Sequence, residues 1–267
     1  MMEILGYFAA VLIGISLGMV GSGGSILTVP VLVYLMMVDP LQATTSSLFI
    51  VGSTSLIGGL RAYGKKQVNF KAVTEFGIPS IFSIFIARHY ILPSLPDLLF
   101  SIGNIHVYKP MFLMVVFAVL MLIASLSMIF SNKRDALALS MQETKYQALP
   151  LVLLGLGIGL ITGLLGAGGG FLIIPSLVIF LRLPMKTAVG TSLLIIAINS
   201  LFGFLFSLKQ FSYNWTLLLS FTVLAITGLF AGSMLAEKIS GSSLKKGFGW
   251  FVLLMGIYII LKEVFRF

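Results

Sequence analysis

Apolar runs of about twenty residues recur from one end of the chain to the other, and they leave it few ways to fold. They lie at residues 4–20, 25–38, 41–60, 72–92, 110–130, 149–165, 170–181, 187–208, 215–236 and 247–261. The longer ones can cross about 30 Å of hydrocarbon as helices. Lipid offers no partner to a backbone N–H or C=O, so helices, which satisfy those groups internally, are required. With 58% hydrophobic and 9% charged residues the chain could not stay dispersed in water. The reading is an all-α integral membrane protein of the cell membrane, inner or plasma, that crosses it many times. The net charge of +9 is no nucleic-acid signal here, because the basic residues sit in short loops between apolar segments. There are no cysteines, so disulfides and cysteine metal sites are excluded. Only Glu3 is charged ahead of the first segment, which reads as mature protein and not as a cleaved signal.

The chain also repeats itself. Displaced by about 145 residues, Gly14, Gly18, Gly21, Gly23, Gly24, Pro30, Ser47, Ser55, Gly58 and Asn69 fall on Gly159, Gly163, Gly166, Gly168, Gly169, Pro175, Ser192, Ser200, Gly203 and Asn214. A single-residue offset near Pro40 and Pro184 is needed. Residues 1–131 form a first membrane repeat, 132–147 a polar cytoplasmic linker and 148–267 a second repeat. Each repeat carries a Gly-rich broken-helix hairpin plus three spanning helices.

The string Gly18-Met-Val-Gly-Ser-Gly-Gly-Ser-Ile-Leu-Thr-Val-Pro30 returns as Gly163-Leu-Leu-Gly-Ala-Gly-Gly-Gly-Phe-Leu-Ile-Ile-Pro175. Ala43-Thr-Thr-Ser-Ser47 and Ala188-Val-Gly-Thr-Ser192 follow the two copies. This double signature resembles that of the TauE/SafE family of anion permeases, and the similarity covers nearly the whole chain. The resemblance implies a permease for small sulfur-containing or carboxylate anions such as sulfite, thiosulfate or sulfonates. The chain departs from the pattern at residues 76–108, where Arg88, His89 and two prolines replace the small residues found at Gly228–Gly232.

The residues themselves point to an anion. Gly21-Ser22-Gly23-Gly24-Ser25 and Gly166-Ala-Gly168-Gly169-Gly170 each open a short helix. A helix N-terminus has unpaired N–H groups and a partial positive charge, and glycine lets a ligand approach the backbone. One broken helix per repeat is a recurring substrate site of secondary transporters. Ser47 and Thr54, and their counterparts Ser192 and Asn199, can hydrogen-bond an oxyanion without the cost of a buried charge. The competing reading makes the glycines and hydroxyls packing and helix–helix contacts. Glu75 is the acid that could carry a coupling proton or cation, or it closes a helix-end ion pair with Lys71. Arg88 and His89 are expected to snorkel to the interface. Asn69 and Asn214 read as N-caps, each followed by an interfacial aromatic, Phe70 or Trp215.

No catalytic constellation emerges. His89 and His106 lie far from Ser22 in the sequence and have no counterpart in the second repeat, and no paired carboxylates or HExxH motif is present. The expected function is therefore a secondary transporter without cofactor or enzymatic activity. A passive anion channel is the alternative, and a membrane scaffold subunit a third reading. Its expected partners are a small anionic substrate and the lipid bilayer; the oligomeric state is open.

If each Gly cluster turns the chain back as a hairpin, 12 of the 17 Lys and Arg fall on one side of the bilayer. The other five are Arg88, Lys109, Lys209, Lys262 and Arg266. If each cluster only interrupts one spanning helix, the split is ten to seven. The positive-inside rule favours hairpins, hence two inverted repeats with both termini outside. Single cysteines at Ser131 and Ser242 are therefore expected to react with impermeant thiol reagents only from the cytoplasm, and one at Asn104 only from outside. Labelling of Ser131 and Ser242 from opposite sides of intact cells would sink that topology.

Overall fold

The computed structural model describes residues 2–21, 24–102, 105–130, 148–166, 168–235 and 241–265. Among them, ten helices follow the apolar segments closely. The first half holds α1 (Met2–Val20), α2 (Ser25–Tyr34), α3 (Pro40–Gly64), α4 (Phe70–Ile86) and α5 (Lys109–Phe130). The second holds α6 (Ala148–Leu165), α7 (Gly170–Phe180), α8 (Met185–Ser207), α9 (Trp215–Leu235) and α10 (Gly241–Phe265). Helix α4 continues through a π-helical turn (Ala87–Ile91) to Ser94. Helices α3, α4 to Ser94, α5, α8 and α9 are long and apolar enough to cross a membrane. The linker at 132–147 lies outside the described residues, as do Ser131 and Asn104.

Caps place the helix starts. Asp39 accepts from the Leu41 and Gln42 amides, with Pro40 at the first helical position of α3. Asn69 accepts from the Ala72 amide at 3.0 Å and Asn214 from the Leu217 amide at 3.1 Å. Both asparagines are therefore the caps the sequence suggests. One element was not anticipated. Strands β1 (Leu98–Ile102) and β2 (Ile105–Tyr108) pair antiparallel between α4 and α5. Alternating apolar residues flank a Gly-Asn pair there, which is hairpin chemistry and not helix chemistry.

Glycine contacts fix how the helices run. A side chain at Gly6 would meet Met36, and one at Gly24 would meet the Ile13 carbonyl and Leu17, so α1 and α2 fold back on each other. Gly169 lies against Thr162 and Ile158, which folds α7 back on α6. Gly14 and Gly18 sit on the backbone of Ala225 and Leu229, while Gly228 and Gly232 sit on that of Val11 and Ile15. Thus α1 and α9 lie parallel, in close contact. Gly155, Gly159 and Gly163 pack along Phe76, Ser80 and Ile84, so α6 and α4 do the same. Lipid tails are as apolar as leucine, so this intimacy, and not hydrophobic burial, holds such pairs together.

Exchanging the halves maps the pairings onto themselves. The pair α1 with α9 becomes α6 with α4, α3 with α9 becomes α8 with α4, and α3 with α8 and α5 with α10 map onto themselves. Equivalent helices α3 and α8 run antiparallel: Gly52 meets Leu201, Gly59 meets Leu194, and Gly203 meets Leu48. Large apolar side chains such as Ile78, Phe82, Leu153, Leu219 and Val223 face outward, as a lipid-bathed surface requires.

These contacts make opposite demands on neighbouring glycines. At Gly159 any side chain collides with the Ser80 backbone, whereas at Gly157 nothing stands within 4 Å. Gly159→Leu is expected to destabilise the protein by about 1–3 kcal/mol or more, and Gly157→Leu to leave it unchanged. Melting of the two detergent-purified variants, monitored by size exclusion, checks the contrast.

Candidate functional site

The two glycine turns meet the opposite half of the molecule. Gly21 sits on the side chain of Val189, one turn into α8, and its counterpart Gly166 sits on the backbone of Thr44, one turn into α3. Ser47 donates a hydrogen bond from its hydroxyl to the Gly166 carbonyl, and also lies 3.1 Å from the Thr44 carbonyl. Ser192 occupies the equivalent place on α8 and donates to the Val189 carbonyl at 2.8 Å. A side-chain carbon at Gly168 would stand 2.9 Å from Val51 on α3 and 3.0 Å from the Ser200 hydroxyl on α8. Gly168 has φ of +65°, in the left-handed region that glycine enters freely. Just beyond, α7 begins at Gly170, and its N-cap Gly169 gives it no side-chain cap. Helix α2 begins at Ser25 behind Gly24, likewise uncapped by a side chain. Both starts are buried, and α2 and α7 approach each other. Ser22 and Gly23 lie outside the described residues.

Between the two starts α3 crosses α8. The contacts of Gly52 with Leu201 and Gly59 with Leu194 place Thr54 and Asn199 near the crossing point. The Thr54 hydroxyl is spent on its own helix, donating to the Ile50 carbonyl at 2.7 Å. Asn199 Oδ1 accepts from the Ser80 hydroxyl at 2.9 Å, but its Nδ2 is buried without a partner among the described residues. So are the hydroxyls of Ser55 and Ser200, which occupy equivalent positions in the two halves. A buried polar atom without a partner is costly. Ser55 and Ser200 were visible as identities in the repeat. Their neighbours Thr54 and Asn199 stand seven residues after Ser47 and Ser192, on the same helix face.

The glycines divide into two kinds. Gly24 packs against α1 and Gly169 against α6, each closing its own hairpin, whereas Gly21 and Gly166 face the opposite half and Gly168 touches both, Val51 on α3 and Ile196 and Ser200 on α8. Glu75 is part-buried on α4, and its Oε2 has no hydrogen-bond partner among the described residues.

Arg88 is where expectation fails. It does not snorkel: it is 0% exposed, while His89 beside it is exposed as foreseen. The π-helical turn at Ala87–Ile91 carries it, and a π turn re-aims the side chains after it relative to an α-helix. Arg88 Nη1 donates to the Thr45 hydroxyl at 2.8 Å and lies 3.4 Å from that of Thr44. Its Nε and Nη2 have no partner among the described residues. Tyr213, in the loop between α8 and α9, closes over this group. Burial pushes its phenol up, against the opposing pull of Arg88 and a hydrogen bond with Thr45. At the opposite end, Arg61 near the end of α3 donates to the Ser233 hydroxyl and lies 5.6 Å over the Phe230 ring. Ser233 is the residue that falls on Arg88 when the halves are superposed in sequence.

The model for the family described as Sulfite exporter TauE/SafE matches residues 6–259. A probable membrane transporter protein of Xylella fastidiosa (strain Temecula1) is 29% identical over 255 residues, covering 94% of this chain and 92% of that protein. The probable membrane transporter protein YunE of Bacillus subtilis is 25% identical over 282 residues, covering 98% and 100%. A probable membrane transporter protein of Haemophilus influenzae is 27% identical over 272 residues, covering 94% and 95%. No solved structure matches the chain.

The Ser47 contact crosses between halves and the Ser192 contact does not. Ser47→Ala is therefore expected to cost about 0.5–1.5 kcal/mol and to raise amide hydrogen exchange across residues 166–172. Ser192→Ala should leave exchange at those residues unchanged. Mass-spectrometric exchange on the two detergent-purified variants makes the comparison.

Proposed function

The chain belongs to the sulfite exporter TauE/SafE family, and we propose that this multi-pass membrane transporter is a carrier that moves a small anion by alternating access. The observation that carries the reading is the pair of buried helix starts at α2 and α7 without side-chain caps, together with the hydroxyls of Ser55 and Ser200 and the amide of Asn199, buried without partners among the described residues. Amides at a helix N-terminus favour negative charge. Neutral donors around them bind an oxyanion without a fixed counter-charge at the centre. Sulfite, thiosulfate and sulfonates suit such a site. The carrier needs no catalytic group, and its place is the cell membrane.

Antiparallel α3 and α8, as equivalent helices, support an inverted relation between the halves across the bilayer. In that arrangement the α1–α2 hairpin enters from one side and the α6–α7 hairpin from the other. Each glycine turn rests on the first turn of the opposite half's long helix, at Val189 or Thr44. Rocking one half on the other would uncover one turn while covering its counterpart, which is the geometry alternating access requires.

Gly168→Leu is the test. A side chain there forces an unfavourable φ and fills the space beside Val51 and Ser200, so anion binding should be abolished. Ser200→Ala removes one neutral donor and should weaken affinity only about two- to tenfold. Calorimetry on variants that elute as folded, monodisperse protein measures both. Normal binding by Gly168→Leu would remove the site from these helix starts. Uptake into proteoliposomes separates carrier from channel, because only a coupled carrier accumulates the anion against its gradient.

A further inference from the structure

We propose that Arg88 is a second anion ligand on the same path, and that it takes the two oxygens of one oxyanion head group on its Nε and Nη2 edge. The inference rests on the reading of the protein as an anion carrier. A guanidinium buried this far inside a membrane protein is expensive unless its charge is answered. Its hydrogen-bond partners among the described residues, Thr45 and Thr44, are neutral hydroxyls. They occupy Nη1 alone.

The atoms left over define the ligand. Nε–H and the neighbouring Nη2–H lie in one plane and point the same way. Together they match two oxygens carried on a single carbon or sulfur. A halide offers one centre that both N–H groups must share, whereas an oxyanion gives each its own acceptor. Both atoms are buried without a partner, so neither water outside nor another side chain among the described residues answers them.

Position links this fork to the substrate path. Thr44 offers its hydroxyl to Arg88 and its backbone to Gly166, so one residue of α3 touches both the guanidinium and the glycine turn. The π-helical turn directs Arg88 inward while His89 and Tyr90 stay exposed. On the far side stands Tyr213, whose hydroxyl donates to the Ser207 carbonyl at 3.0 Å. Arg88 thus lies between the α8–α9 loop and the Gly166 turn. An anion passing between that turn and this face of the protein meets the fork first or last.

Thermal stabilisation of the purified full chain by the sodium salts of sulfite, methanesulfonate, acetate and chloride, at constant ionic strength, tests the assignment. The three oxyanions should stabilise the wild type more than chloride does. Arg88→Gln should weaken oxyanion affinity on the order of ten- to a hundredfold, as expected for losing a charged bidentate partner. Arg88→Lys keeps the charge without the fork and should fall between, with its preference for oxyanions over chloride reduced. Thr45→Val leaves the arginine in place but unanchored. It should weaken oxyanion binding at least modestly, and it serves if Arg88→Gln does not fold. Wild-type affinity in Arg88→Gln, equal stabilisation by chloride, or no change in Thr45→Val when Arg88→Gln cannot be purified would overturn the role of Arg88. A wild type that responds to none of these salts and transports none would instead bring down the carrier reading itself.

Discussion

A helix that begins inside a protein leaves its first amides to find partners among the groups around it, and α2 and α7 both begin at buried positions, Ser25 and Gly170. They can do so only because protein surrounds them. Helices α3 and α8 cross antiparallel, and their contacts seat the side chains of Leu201, Leu194 and Leu48 against Gly52, Gly59 and Gly203. Closeness at the crossing excludes lipid from the starts. It also brings Ser55, Ser200 and Asn199 to the same depth. The outer pairs, α1 with α9 and α6 with α4, act as buttresses, each zipped by glycines on a neighbouring backbone. If those contacts loosened, the half-helices would face hydrocarbon and their amides would have to find partners elsewhere.

Much of this was legible in the sequence because the bilayer allows so little else. The apolar segments mark the helices to within a few residues, and Asp39, Asn69 and Asn214 fix three of the starts. Glycine is harder to read. Gly159 and Gly168 look alike in the sequence, yet one lies against the backbone of α4 and the other against the side chains of Val51, Ile196 and Ser200. Only the direction of each missing side chain tells them apart, and direction depends on which helix ends up opposite. Ser55 and Ser200 were hidden for a related reason. A serine in a membrane helix usually bonds its own backbone, as Ser176 does to Leu172, and nothing local announces one that does not.

Arg88 was misread because proximity to a helix end is a one-dimensional argument. Long basic side chains reach the interface when the route along the helix is open. Here the π-helical turn changes the facing of residue 88, and Thr45 on α3 and Tyr213 in the next loop stand in the way. The sequence did flag the region: residues 76–108 are where the first half abandons the small residues that the second half keeps at Gly228 and Gly232. Arg88 stands in that stretch, where the second half has Ser233.

That replacement breaks a symmetry the duplication would otherwise preserve. Were both halves identical, an anion would meet equivalent surroundings from either face. Instead position 88 is arginine and position 233 serine, and the guanidinium near Ser233 comes from Arg61 on a different helix. The two are not equivalent in state. Arg88 is sealed, with half its hydrogen-bonding edge unanswered, while Arg61 is part-exposed and already engaged with Ser233 and the Phe230 ring. An asymmetry in affinity cannot by itself drive net transport, since a ligand shifts an equilibrium only by its differential binding to the two states. What it can set is how tightly each face holds the anion, and so which face loads at low concentration and which one releases.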